Sequence, residues 1–312
     1  MSVRSTAISA LKRLRLDGIV RPAYFGVRRA AATVRSAPAA ASRGIRWVAD
    51  APKRAALAAG YRAILASRIE FEQLLGAPDD AAVALVMCLW NRPGRIADIL
   101  RLVDSQATSR RIRLVLWNNQ PANAQQYRDA IAAFTARGAL DSVELFDSPT
   151  NIGGIGRFVA MRELVRGGYS GSYLMLDDDE NITPSFVDDL MAVSGSHTIA
   201  SIWAWRHDGR YWNRVPLEHT GEIANHTGTG GCVCDSALVS HPDFFTRIPV
   251  KYLFMEDIWM SHCGTRNGWT LLKVDSPVEF VLAELDQGHA IYDRKEKFFT
   301  WLQRPGNVPD WN

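Results

Sequence analysis

At 312 residues, with 47% hydrophobic and 22% charged side chains, the chain can bury the core of one large or two modest domains, which places it among soluble globular proteins. Its four cysteines, Cys88, Cys232, Cys234 and Cys263, are too few and too irregularly spaced for a disulfide framework, so a reducing, cytoplasmic compartment is expected. The net charge of +3 hides an asymmetry: residues 1–76 carry 14 Lys and Arg against 4 Asp and Glu, a balance of +10, while the remainder carries 22 against 29, a balance of −7.

The basic segment, residues 1–76, has apolar residues at helical spacing, such as Ile8, Leu11, Leu14 and Ile19, broken at Gly18, Pro22, Pro38 and Gly44. Short basic amphipathic helices suit contact with an anionic membrane surface, here the inner face of the membrane, and equally suit a helical extension packed on the main domain or a partly disordered arm. No run of about 18 apolar residues and no signal-peptide pattern occurs, so neither a transmembrane helix nor a leader is expected. A linker at Gly76-Ala77-Pro78-Asp79-Asp80 then opens the main domain, 77–312.

The apolar run Ala82 to Trp90 has the composition of a strand buried on both faces, and Asn91-Arg92-Pro93 turns it into a helix with Asn91 as cap. A second unit repeats the form: strand Ile112 to Trp117, turn Asn118 to Pro121, helix to about Arg137. Strand Val143 to Phe146 follows. Asn151-Ile152-Gly153-Gly154-Ile155-Gly156-Arg157 opens a helix to about Arg166, and strand Ser172 to Leu176 leads straight into Asp177-Asp178-Asp179-Glu180. Strands alternating with helices predict a parallel sheet with right-handed crossovers.

The acid triplet organises the rest. Three adjacent carboxylates repel one another and make a poor strand, so a divalent cation bound to a diphosphate is the reading that accounts for them. On an extended chain Asp177 and Asp179 share one face and Asp178 the other, and hard oxygen ligands suit Mg²⁺ or Mn²⁺. The glycines at 153, 154 and 156 match neither the dinucleotide fingerprint nor a P-loop.

Beyond helix Ser185 to Val193 and strand Thr198 to Ala204, aromatic Trp203, Trp205, Tyr211 and Trp212 interleave with Arg206, His207, Arg210 and Arg214. Aromatic faces with fixed donors suit a sugar or a nucleobase, although core and rim explain each residue alone better. Gly230-Gly231 lets the backbone approach a ligand closely. Glu256-Asp257 precedes a helix that should begin near Asp257 and stop at Gly268, followed by strand Trp269 to Val274; Asp257 is either its cap or a general base presented to a cleft.

In order and spacing these pieces resemble the inverting glycosyltransferases of the GT-A fold, family 2 type, over about residues 82–290. The glycine turn and the triple Asp are similar to galactofuranosyl- and rhamnosyltransferase members. The resemblance implies an α/β fold, a Rossmann-like mixed, mainly parallel sheet flanked by helices, with residues 1–76 as an extension. It implies that Asn91, Arg92 and Asn118 lie against the base and ribose, with Asn151, Gly153, Gly154, Arg157, Gly230 and Gly231 around the donor pocket. It implies too that Asp177 and Asp178 contact ribose or diphosphate and that Asp177 and Asp179 hold Mn²⁺ or Mg²⁺ with His289 as a further ligand. Asp257 would be the base, with Glu256 beside it as the second catalytic residue.

The expected donor is a UDP-sugar and the expected acceptor a hydroxyl of a glycan or glycolipid; no nucleic acid is involved. Where the family often has an acidic turn after the second strand, this chain has Asn118-Asn119-Gln120, which leaves the base open. A nucleotidyltransferase would need a Gly-rich basic loop after the first strand, and a carbohydrate-binding module would explain the tryptophans but neither acid cluster.

Overall fold

The computed structural model describes residues 51–79, 81–281 and 291–311; residues 1–50, and with them most of the basic segment, and the stretch 282–290 that contains His289 lie outside the described residues. The chain divides between Lys53 and Arg54, and the larger unit is built on one eight-stranded sheet.

The first strands are β1 (Glu72–Gly76), β2 (Val83–Leu89), β3 (Ile112–Asn118), β4 (Leu140–Asp147) and β5 (Ser172–Asp177). After the short β6 (Glu180–Ile182) come β7 (Thr198–Ser201), β8 (Ala204–His207), β9 (Arg214–Pro216), β10 (His226–Thr227), β11 (Cys232–Asp235), β12 (Thr270–Lys273) and β13 (Val278–Phe280). The large sheet has the order β1-β4-β3-β2-β5-β11-β7-β12. The β4-β3-β2-β5 block and the β7-β12 pair are parallel, whereas β1 and β11 run antiparallel to their neighbours. The expected mixed, mainly parallel sheet is therefore what forms.

Alternation along each strand feeds two cores. In β2, Ala84 and Val86 pack on one face, and Val83, Leu85, Met87 and Leu89 on the other. The first face is covered by α1 (Ala51–Ala66), α4 (Ile155–Arg166), α6 (Pro242–Thr246), α7 (Glu256–Arg266) and α8 (Tyr292–Leu302), which contribute Tyr61, Phe158, Phe244, Trp259 and Phe298. The second is covered by α2 (Ile96–Asp104), α3 (Ala124–Ala132) and α5 (Phe186–Met191) through Ile99, Tyr127 and Leu190. Burying both faces is what makes the central strands uniformly apolar.

Several local expectations shift. Asn91 is not a helix cap: it takes a left-handed φ of 59°, a 3₁₀ turn follows at Pro93–Arg95, and the helix proper begins at Ile96. Strand β7 stops at Ser201, three residues early. The Trp203 indole stacks on Phe280 and donates to Glu180 Oε1 at 2.8 Å, drawing the chain off the sheet into the separate β10-β8-β9 layer. Residues 54–76, assigned by composition to the basic extension, belong to the compact unit, because α1 buries Tyr61 and Ile64 and β1 pairs along β4. No helix among the described residues is long and apolar enough to cross a membrane.

Candidate active site

Strand register brings the ends of the parallel block to one edge: Leu89 lies beside Asn118, Asn118 beside Asp147, and Cys88 beside Asp177. The loops that leave this edge carry nearly every residue singled out in the sequence, as expected where open α/β sheets bind ligands.

Asp177 ends β5 with its side chain 39% exposed and accepts from Arg157 Nη2 at 2.7 Å. Asp178 turns the other way and is buried, held by the Arg92 guanidinium and by the Trp90 N–H at 3.0 Å. Burial pushes its carboxyl up to about 7 even though Arg92 draws it down. Asp179 shares Arg92, at 3.3 Å. The triplet thus splits between two arginines, Arg92 from the loop after β2 and Arg157 from α4, which relieves the repulsion between its carboxylates.

Arg157, in the first turn of α4, is the centre of the arrangement. Besides Asp177 it faces Glu256 at 3.9 Å and donates to the carbonyls of Thr229 and Gly154, each at 3.3 Å. Burial disfavours its charge, but the neighbouring carboxylates more than offset that and keep it protonated. The acid strand end, the glycine turn, the Thr229-Gly230 segment and the start of α7 therefore meet at one guanidinium.

Glu256 and Asp257 are the first two residues of α7, and the cap position belongs to Met255, which makes no side-chain cap hydrogen bond. Asp257 is thus not the cap. Glu256 is buried and accepts from Thr229 Oγ1 at 3.4 Å; burial raises its carboxyl above the ordinary range against the pull of Arg157. A Cβ on Gly154 would stand 1.7 Å from Glu256 Oε1, so only glycine lets the turn close on this carboxylate.

Asp257 faces a different set. Its Oδ2 lies 3.7 Å from Lys295 Nζ of α8 and 3.8 Å from His226 Nε2 of β10. His226 is fully buried, neither ring nitrogen has a hydrogen-bond partner, and its ring stacks on Trp205 and meets Tyr211 edge-on. Burial first, then Arg214 and Lys295, hold the imidazole neutral. Burial works against the Lys295 charge, but Asp257 more than restores it.

Other sequence-selected residues act as frame. Asn118 is fully buried, its amide donating to Asp147 at 2.7 Å and its oxygen accepting from the Gln120 N–H at 2.9 Å. Asn151 accepts from the Gly153 N–H at 2.9 Å, closing the glycine turn. Gly231 takes a left-handed φ of 61°. Sequence reasoning misses Lys295 and His226: a lysine within Asp293-Arg294-Lys295-Glu296-Lys297 has the signature of a solvated helix face, and a lone His226 carries no spacing signal.

Whether the residues fit a divalent cation can be judged from the cradle beside Asp177. A Cβ on Gly230 would lie 2.8 Å from Asp177 Oδ2 and from both Glu180 carboxylate oxygens, so glycine leaves that side of the carboxylate open. Among the described residues no three His, Cys, Asp or Glu side chains converge as a complete metal site. One or two carboxylates completed by phosphate oxygens is the coordination Mg²⁺ and Mn²⁺ accept, so the donor set fits a cation that arrives with a diphosphate.

No family model and no curated protein sequence matches the chain. Among solved structures it is similar to S. aureus TarS 1–349, at 15% identity over 63% of this chain and 58% of that one, with a TM-score of 0.38. It is also similar to the mannosyltransferase PcManGT from Pyrobaculum calidifontis in complex with GDP-Man and Mn²⁺, at 10% identity over 72% and 68%, TM-score 0.38. A third is the bifunctional glycosyltransferase WbbM in its apo form, at 11% identity over 62% of this chain and 35% of that one, TM-score 0.32. The chain thus spans under two thirds of the TarS structure.

Proposed function

We propose that the chain is an inverting, metal-dependent glycosyltransferase that moves a sugar from a nucleoside-diphosphate sugar, a UDP-sugar first among candidates, to a hydroxyl of a glycan or lipid-linked glycan. The observation that carries this reading is the Arg157 junction, which joins the acid end of β5 to the acid start of α7. Carboxylates suited to the donor side and the acid pair that opens α7 then meet at one guanidinium. Asn91, Arg92, Gly153 and Gly154 line the loops on the donor side, with Asn118 and Asn151 shaping them.

On this reading Asp257 takes the proton of the acceptor hydroxyl as its oxygen bonds to the anomeric carbon, and the bond to the diphosphate oxygen breaks with its electron pair. A carboxylate suffices because the hydroxyl becomes acidic only as attack proceeds. Lys295 Nζ, 3.7 Å from Oδ2, stands as the counter-charge of Asp257. A divalent cation on Asp177 and Asp179 would supply neutralisation of the charge that develops on the leaving diphosphate. Metal-dependent release of nucleoside diphosphate from a panel of nucleotide sugars tests the assignment, and no turnover of any donor with either Mn²⁺ or Mg²⁺ would overturn it.

Asp179→Ala is expected to abolish metal-dependent binding of nucleoside diphosphate while the fold survives, because Arg92 keeps Asp178 as partner. Calorimetric titration of UDP with and without Mn²⁺ reads this, and unchanged metal-dependent affinity would remove Asp179 from the cation site.

The basic arm is proposed to contact an anionic surface. Its first 50 residues hold 10 Lys and Arg against 2 Asp and Glu, and each basic side chain near such a surface contributes about 1 kcal/mol, less as salt rises. Because α1 and β1 belong to the folded unit, the comparison protein should lack residues 1–50 only. Full-length chain is expected to co-sediment with anionic vesicles at low salt and the shortened one to stay in solution; equal sedimentation would leave the arm a structural extension.

A further inference from the structure

We infer that Arg214 and Lys295 form a subsite for an anionic oxygen group, phosphate or carboxylate, on the acceptor, beside the attacking hydroxyl. The inference rests on the glycosyltransferase reading and deepens it. Arg214, at the start of β9, holds its guanidinium carbon 4.3 Å from the ring centres of both Trp205 and Tyr211 and 5.8 Å from that of Trp212. Such stacking fixes the plane of the fork without using its N–H groups. Among the described residues no carboxylate lies within ion-pair distance of Arg214 and its guanidinium makes no hydrogen bond, whereas Arg92, Arg95, Arg113, Arg157 and Arg162, half-buried or buried, each have a carboxylate partner. A half-buried, oriented and unneutralised guanidinium is a preformed anion receptor.

Its neighbour strengthens the point. Lys295 Nζ lies 5.6 Å from the same Tyr211 ring and 3.3 Å from the Tyr211 hydroxyl. The cluster around Asp257 therefore holds two cations and one carboxylate, since His226 between them is neutral. That surplus positive charge sits on the Asp257 side of the α7 start, whereas the candidate donor carboxylates sit on the Glu256 side with Arg157 as their own counter-charge. On the proposed reading a donor diphosphate would be met by the cation on Asp177 and Asp179; the second cationic set addresses a different ligand.

The test is equilibrium binding of three probes to the full-length protein at low salt: a methyl hexoside, its primary phosphate ester and the corresponding uronate, with UDP and Mn²⁺ present to fill the donor site. The phosphate or the uronate is expected to bind roughly tenfold more tightly than the neutral glycoside, the size of one charge-assisted hydrogen bond. Whichever is preferred identifies the group. The preference should vanish in Arg214→Gln and shrink in Arg214→Lys, which keeps the charge but not the planar fork. Equal affinity for neutral and charged probes in the wild type overturns the subsite, as does an undiminished preference in Arg214→Gln. So does a preference seen only without UDP, because the cations would then serve donor phosphates. If Arg214→Gln does not fold, the wild-type preference and its reduction in Arg214→Lys decide. Failure of UDP and Mn²⁺ to bind at all would instead count against the glycosyltransferase reading, and is recorded separately from the probe comparison.

Discussion

A folded Asp257→Asn variant is expected to transfer sugar on the order of 10²-fold more slowly than the wild type, or worse, while still binding the donor. The amide preserves the shape and the polar contacts of the side chain but cannot accept a proton. The start of α7 does not depend on it, since the cap residue is Met255 and the side chain of Asp257 caps nothing. What the substitution removes structurally is one charge beside Lys295, 3.7 Å away, and one acid in the first helical turn. At 3.7 Å and with both side chains partly exposed, these together contribute about 1–2 kcal/mol, too little to unfold the protein. Single-turnover transfer therefore separates chemistry from stability, with the product's anomeric configuration read by NMR for the wild type. Near-normal transfer by the variant, or a retained configuration, would sink Asp257 as the base of an inverting reaction.

What could be seen in the sequence was whatever is encoded locally. A run such as Leu174-Met175-Leu176 ending in acids declares a strand buried on both faces whose C-terminal end meets a cleft, and β5 ends at Asp177 as that logic requires. The glycine turn, Gly230 and Glu256-Asp257 were legible for the same reason, and the fold brings all but Asp257, which faces His226 and Lys295, to the Arg157 junction.

The contacts that define the junction were not legible. Arg157 reaches Asp177 and Glu256 across the sheet edge, and the partners of Asp257 come from β10 and α8; no spacing rule connects such positions. Composition misled once. Residues 54–76 carry only three Arg against two Glu, so the basic excess lies upstream of them, and they bury Tyr61 and Ile64 in the compact unit. Trp203 shows the same limit in reverse, because a strand pattern that continues through 204 is cut short by one indole that finds Glu180 and Phe280 instead.

Arg157→Met is expected to be the most destabilising single change in the site, at about 3–5 kcal/mol near neutral pH, because it strands carboxylates that a buried guanidinium had neutralised. The loss should depend on pH in a definite direction. Burial already raises the Glu256 carboxyl above its ordinary 4.5, and Arg157 is the group that opposes this. Without Arg157 the folded-state value rises further. A carboxyl raised on folding binds its proton more tightly in the folded protein. Its favourable contribution is complete below the unfolded value and is lost as pH climbs through the folded one. The variant should therefore approach the wild type near pH ~5 and fall furthest behind near pH ~8, read as urea midpoints for both proteins. Arg157→Lys supplies the control, keeping a charge near Asp177 while losing the fork that also reaches the Thr229 and Gly154 carbonyls. A deficit that stayed constant or grew toward acid would show that Arg157 holds the junction through those carbonyls and its packing, and that the carboxylates around it do not need its charge.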